Sequence, residues 1–224
     1  MSYRHQWKNG QPIGLPAGKV VCVGRNYADH AAELNNPIPS EPLLFIKPET
    51  SIVSLHEPIA IPQSKGAVHY EAEISLLIGK ILKNAGRTQA VEGMIGIGAA
   101  LDLTLRDLQT RLKEQGHPWE KAKAFDGSCP LSCFEPIQSF SSLNHLDIEL
   151  AISGVIKQKG SSDQMLFDIP SLIEYISTCF TLMPGDVILT GTPKGVGPLT
   201  PGDTIQIRLC NHLAINTLVV AESA

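Results

Sequence analysis

His69-Tyr-Glu-Ala-Glu-Ile-Ser-Leu-Leu-Ile-Gly79 alternates polar and apolar residues as far as Leu76, and this period of two predicts a β-strand. Tyr70, Ala72, Ile74 and Leu76 would face one side, and His69, Glu71, Glu73 and Ser75 the other. The same grammar recurs outward in both directions. Towards the N-terminus, Val20-Val-Cys-Val23 predicts a buried strand, Tyr27 to Leu34 a short helix, and residues 35–42, with three prolines, a loop. Leu43-Leu-Phe-Ile46 and the Ile59/Ile61 pair add further strand. Towards the C-terminus, apolar Gly96–Leu101 ends in Asp102, and Leu105, Leu108 and Leu112 space a helix over residues 104–115. Leu146–Ile152 and Val155–Gln158 flank Ser153-Gly154, which predicts a hairpin. Asp168 and Pro170 suit the cap and first turn of a helix running to about Phe180. Two Pro-Gly-Asp turns, at 184–186 and 201–203, each precede a β-branched run. Many strands and few helices predict a mostly β, α+β domain, because a doubly wound sheet needs regular strand–helix alternation.

The chain has 224 residues, enough for one large domain over 19–224 behind a lead-in of residues 1–18 that is punctuated by Gly and Pro. A net charge of −4 and a pI near 6.0, with no basic cluster, argue against a nucleic-acid partner. No apolar stretch suits a signal peptide or a membrane span, so a cytoplasmic protein without a membrane partner is expected. Five cysteines without a C-x-x-C pair suit reduced thiols better than disulfides or zinc. Neither Gly96-Ile-Gly98 nor Gly191–Gly197 forms a nucleotide-binding loop, and G-x-S-x-G is absent.

Glu71 and Glu73 place two carboxylates on one strand face. An isolated E-x-E is more often a solvated outer face than a site. Asp102 raises the functional odds, since an acid closing an apolar strand is a helix cap, an ion-pair partner or a ligand. Three carboxylates without a thiolate select a hard cation, Mg²⁺ or Mn²⁺ before Ca²⁺, and leave coordination positions for water or substrate. His69 shares their face, although a supporting or surface role suits it better. Arg106 and Gln109, three apart on one helical face, are either a solvent-facing pair or, through the guanidinium fork, a grip on a substrate carboxylate. For Lys123, beside Lys121, a surface lysine is the bland alternative, and the spacing by itself decides nothing.

These residues resemble the fumarylacetoacetate hydrolase family, in particular its short single-domain acylpyruvate hydrolases and oxaloacetate-handling enzymes. The similarity runs from about Lys19 to the C-terminus. It rests on Gly24-Arg-Asn-Tyr-Ala-Asp-His30 with Glu33, Leu44-Phe-Ile-Lys-Pro48, Tyr70-Glu-Ala-Glu73, Leu101-Asp102 with Arg106 and Gln109, Lys123-Ala-Phe-Asp126, and Pro184–Pro193 with Gly195-Val-Gly197. One departure is Ser153-Gly-Val155, where the family often has an Asn-Gly-Glu turn.

The resemblance implies a mixed β-sandwich roll, commonly a homodimer, with Glu71, Glu73 and Asp102 as ligands of Mg²⁺ or Mn²⁺. It implies a substrate site lined by Arg25, Tyr27, Arg106, Gln109 and Thr192, and catalysis by Lys123 with a His30–Glu33 dyad on a lid. The substrate would be a small 2-oxo or 2,4-dioxo acid. The expected reaction is hydrolysis of the C–C bond of an acylpyruvate through a metal-stabilised enolate; decarboxylation or keto–enol tautomerisation of oxaloacetate is the alternative outlet of the same arrangement. A non-catalytic protein that binds 2-oxo acids is a weaker expectation.

Overall fold

A computed structural model describes residues 3–34 and 36–222. Its centre is an eight-stranded mixed sheet in which Leu43–Lys47, Val20–Gly24, Val187–Leu189, Ala72–Ile78, Met94–Leu101, Cys129–Leu131 and Ile52–Ser54 follow one another. Glu135–Pro136 pairs beside them on Met94–Leu101. A five-stranded sheet runs Val155–Ser161, Asp147–Ile152, Thr204–Leu209, Leu213–Ala221, Ile59–Ile61. Gly197–Pro198, Val68–Tyr70 and Thr104–Leu105 form a third, small sheet. The α-helices are short, the longest being Ile169–Cys179. The mostly β expectation therefore holds. No helix among the described residues is long and apolar enough to cross a membrane.

Burial on both faces explains the sequence of the central strand. Ala72, Ile74, Leu76 and Ile78 pack with Ile148, Leu150, Ile205 and Ile207 of the five-stranded sheet. Leu77, which interrupts the alternation, joins a second core of Val20, Cys22, Phe45, Leu131, Phe134, Val187 and Leu189. Trp7, Leu15 and Ala17 of the lead-in cover that second core. All residues of Ala72–Ile78 are buried, so the solvated-face reading of Glu73 does not hold.

Local signals read from the sequence recur in the structure. Ser153 and Gly154 both take left-handed backbone, with φ of 48° and 81°, as a two-residue hairpin turn requires. Asp168 caps Ile169–Cys179 by accepting from Ser171 N at 2.9 Å. One expectation fails in an informative way. The strand predicted to run from His69 to Gly79 breaks at Glu71: Val68–Tyr70 pairs in the small sheet and Ala72–Ile78 in the large one. Two helices, Arg87–Gly93 and Glu120–Lys123, were not foreseen.

Candidate active site

The break at Glu71 positions the acids. Ala72 pairs with Leu101 in the antiparallel ladder, so Asp102, one residue beyond that strand, lies opposite Glu71 and its N–H donates to Glu71 O at 2.8 Å. One carboxylate oxygen from each of Glu71, Glu73 and Asp102 falls within 4.8 Å of the others. The three side chains are buried. Like charges at such spacing, away from water, demand compensation.

Three cations supply it. Lys123 Nζ lies 2.7 Å from Glu71 Oε2 and 2.5 Å from Asp102 Oδ2. Arg106 pairs with Glu71 Oε1. Lys47, fully buried, brings Nζ to 2.8 Å from Asp102 Oδ1. The bland surface alternative for Lys123 does not hold: the helix Glu120–Lys123 turns Lys121 outward and Lys123 inward, where it is 3% exposed.

The compensation is uneven. Burial alone would raise the Glu71 carboxyl, but Lys123 and Arg106 together hold it well below the usual carboxylate range. Burial likewise opposes the charge on Lys123, yet Asp102 and Glu71 outweigh it and push the ammonium up. Glu73 accepts from Gly191 N at 2.6 Å and has no ion pair among the described residues. Burial, reinforced by the charges of Asp102 and Glu71, pushes its carboxyl well above the usual range. Asp102 Oδ1 is a second unfinished feature. Although Lys47 is close, the ammonium hydrogen-bonds to the Lys123 and Ser128 carbonyls and to Ser128 Oγ, and Oδ1 has no hydrogen bond of good geometry among the described residues.

A buried all-oxygen cluster with one uncompensated acid and one unpartnered oxygen fits a hard divalent cation such as Mg²⁺ or Mn²⁺. His69 is not in this cluster, because the break at Glu71 carries it into the small sheet.

The helix Ala28–Glu33 contributes His30 to the same cavity, and Arg25 before it, a non-glycine residue with φ of 58°, also lines it. His30 is buried, with Nδ1 3.2 Å from Glu33 Oε2. Glu33 Oε1 accepts from Gly195 N at 3.0 Å, and Asp29 pairs with Lys194 at 2.8 Å. The helix is therefore formed and clasped to the loop at 191–197.

Arg25, His30, Glu71, Glu73, Asp102, Arg106, Gln109, Lys123 and Thr192 line one cavity of about 40 Å³. At roughly 10–15 Å³ per water this holds a cation with a water or two. A 2-oxo acid needs side chains of the wall to move.

Two expected contacts take a different form. Arg106 Nη1 donates to Gln109 Oε1 at 2.7 Å and Nη2 to Glu71, so its fork is engaged within the protein. Tyr27 does not line the cavity: it is buried beneath the helix start, and its hydroxyl has no partner among the described residues. Sequence reasoning missed Lys47, Trp119 and Lys113, the last two of which line the cavity. Lys47 carried a usable signal, since it closes an apolar strand as Asp102 does.

Residues 19–220 match the family profile described as fumarylacetoacetate (FAA) hydrolase C-terminal. The oxaloacetate tautomerase of Escherichia coli is 47% identical over 213 residues, covering 95% of this chain and 97% of that protein. A mitochondrial oxaloacetate decarboxylase of Dictyostelium discoideum is 44% identical, covering 89% of each chain. Among solved structures, a fumarylpyruvate hydrolase from Pseudomonas aeruginosa in complex with Mn²⁺ and pyruvate superposes with a TM-score of 0.92 at 34% identity, over 99% of this chain and 97% of that one.

Proposed function

The chain is an enzyme of the fumarylacetoacetate hydrolase family, and we propose that it interconverts the keto and enol forms of oxaloacetate. The observation that carries this is a buried imidazole, His30, lining one cavity with the three acids and Lys123, in a chain 47% identical to an oxaloacetate tautomerase over 95% of its length. Hydrolysis of an acylpyruvate, first expected from the motifs, is supported only at lower identity, by the 34% fumarylpyruvate hydrolase.

Glu71, Glu73 and Asp102 would hold the Mg²⁺ or Mn²⁺ ion, which when bound supplies Lewis-acid polarisation of the substrate's keto oxygen. The protein's own groups do the rest. Arg25 and Lys113 share the cavity and would offer positive charge to a dicarboxylate, beside Arg106, whose fork is held by Glu71 and Gln109. Lys123 adds positive potential where charge develops on the keto oxygen, and its ammonium can donate a proton there. His30 takes the proton from C3 through Nε2, since Nδ1 is held by Glu33. One proton leaves carbon and one reaches oxygen, so no co-reactant is consumed.

Decarboxylation is a second reading, favoured by the 44% identical oxaloacetate decarboxylase. Loss of CO₂ from oxaloacetate generates the same negative charge beside Lys123, and His30 would then return a proton to carbon. The test follows enol absorbance, CO₂ release and acetylpyruvate cleavage separately with Mg²⁺ or Mn²⁺ present. Enol decay accelerated well above the other two supports the proposal; acetylpyruvate cleavage as the fastest reaction overturns it.

A further inference from the structure

Gln158 sits in Val155-Ile-Lys-Gln-Lys159, whose other residues are exposed, yet it is 1% exposed. The register explains this. Leu150 pairs with Gln158 but Ala151 with Ile156, so Lys157 is the extra residue of a β-bulge immediately before Gln158. Bulges re-aim neighbouring side chains. The Lys157 carbonyl packs against Gly195, where φ of 101° and the lack of room for a Cβ both require glycine.

Both ends of the Gln158 amide are engaged. Oε1 accepts from Ala72 N at 2.9 Å, while Nε2 donates to Thr192 Oγ1 at 2.8 Å and to Pro193 O at 2.7 Å. Thr192 Oγ1 in turn donates to Ala72 O at 2.8 Å. Both polar groups of Ala72, the residue between Glu71 and Glu73, are therefore held by side chains. The loop that Gln158 grips supplies Gly191 N to Glu73 and Gly195 N to Glu33.

We infer that Gln158, which does not line the cavity, is a positioning residue that sets the separation of Glu71 and Glu73 and the placement of the His30–Glu33 pair above them. The inference rests on the reading of Glu71, Glu73 and Asp102 as cation ligands. Outer partners of metal ligands typically change affinity by about 10–100-fold when removed.

Gln158→Met removes all three hydrogen bonds; Gln158→Glu keeps the shape and the acceptor for Ala72 N while losing both donors, and serves if the first variant does not fold. Mn²⁺ affinity of the apo protein, thermal stability, and kcat and KM for oxaloacetate are compared with wild type and with exposed Lys159→Ala. The expected result is Mn²⁺ binding weakened at least about tenfold and kcat lowered by a similar factor, with Lys159→Ala unchanged. A lower melting temperature with unaltered Mn²⁺ affinity and kcat would make Gln158 a fold-holding residue only and overturn the inference. Asp102→Asn separates the two levels. If it binds Mn²⁺ as wild type does, the ligand reading fails; if it loses Mn²⁺ while both Gln158 variants keep it, the positioning role alone fails.

Discussion

Replacing Lys123 by Met keeps the aliphatic stem and deletes the charge that bridges Glu71 and Asp102, at 2.7 and 2.5 Å. Lys123 is 3% exposed, so bulk solvent screens the two acids little once its charge is gone, and a water entering the cavity brings no compensating charge. Breaking a buried ion pair by removing one partner costs about 3–5 kcal/mol. For a domain of this size each kcal/mol shifts the melting temperature by about 2–4 °C, which puts the apo variant about 6–20 °C below wild type. Arg106 and Lys47 still compensate Glu71 and Asp102 in part, which favours the lower end of that range. A divalent cation restores the missing positive charge, so Mn²⁺ should raise the melting temperature of the variant more than that of wild type. Turnover should not recover with it: loss of one donor to a developing oxyanion costs about 10²–10³ in kcat. Differential scanning fluorimetry with and without Mn²⁺, paired with enol-decay kinetics, reads both effects. An apo melting temperature within a degree of wild type, with turnover near normal, would refute the argument that Lys123 compensates this cluster.

Two further outcomes follow from the same geometry. Because burial and neighbouring charge raise the Glu73 carboxyl, the folded apo protein binds more protons there than the unfolded chain, so this group's contribution to stability is present at low pH and is lost as pH rises through its raised folded value. Mn²⁺ binding should then release a proton and tighten with pH, visible as a buffer-dependent heat in calorimetry; heat independent of buffer ionisation enthalpy would contradict it. Glu33→Gln should leave metal affinity intact and lower turnover about a hundredfold, since a His30 imidazole that is no longer oriented is a poorer proton carrier. Normal turnover in that variant would make Ala28–Glu33 an ordinary surface helix.

Much of the sheet was legible because a strand with one polar face writes itself as alternation, and Ser153-Gly154 and Asp168-x-Pro170 mark their turn and cap by local chemistry alone. What escaped is the part of the site made by long-range contacts. Tyr70, Ala72 and Ile74 alternate without interruption, so nothing local announces the break at Glu71; the group that holds Ala72 N is Gln158, 86 residues away. Lys123 and Lys121 look alike in a helix of four residues, too short to show a periodic face, and only the fold buries one of them. The three acids were found because carboxylates at strand positions are conspicuous. Their counter-charges were harder to assign, since Arg106 was given to substrate and the structure pairs it with Glu71. Arg87–Gly93 was missed because a polar, one-sided turn of helix lacks a cap residue with a side chain at Gly86.

The central claim is that this site moves a proton at C3 of a 2-oxo dicarboxylate through His30. It is tested most directly by following deuterium uptake at C3 of oxaloacetate in D₂O by NMR, with Mn²⁺ or Mg²⁺ affinity measured on the same samples. Wild type should accelerate C3 exchange well beyond the uncatalysed rate and beyond CO₂ release, and His30→Ala should abolish the acceleration while retaining the metal. Equal exchange in wild type and His30→Ala, both metal-loaded, would contradict the account.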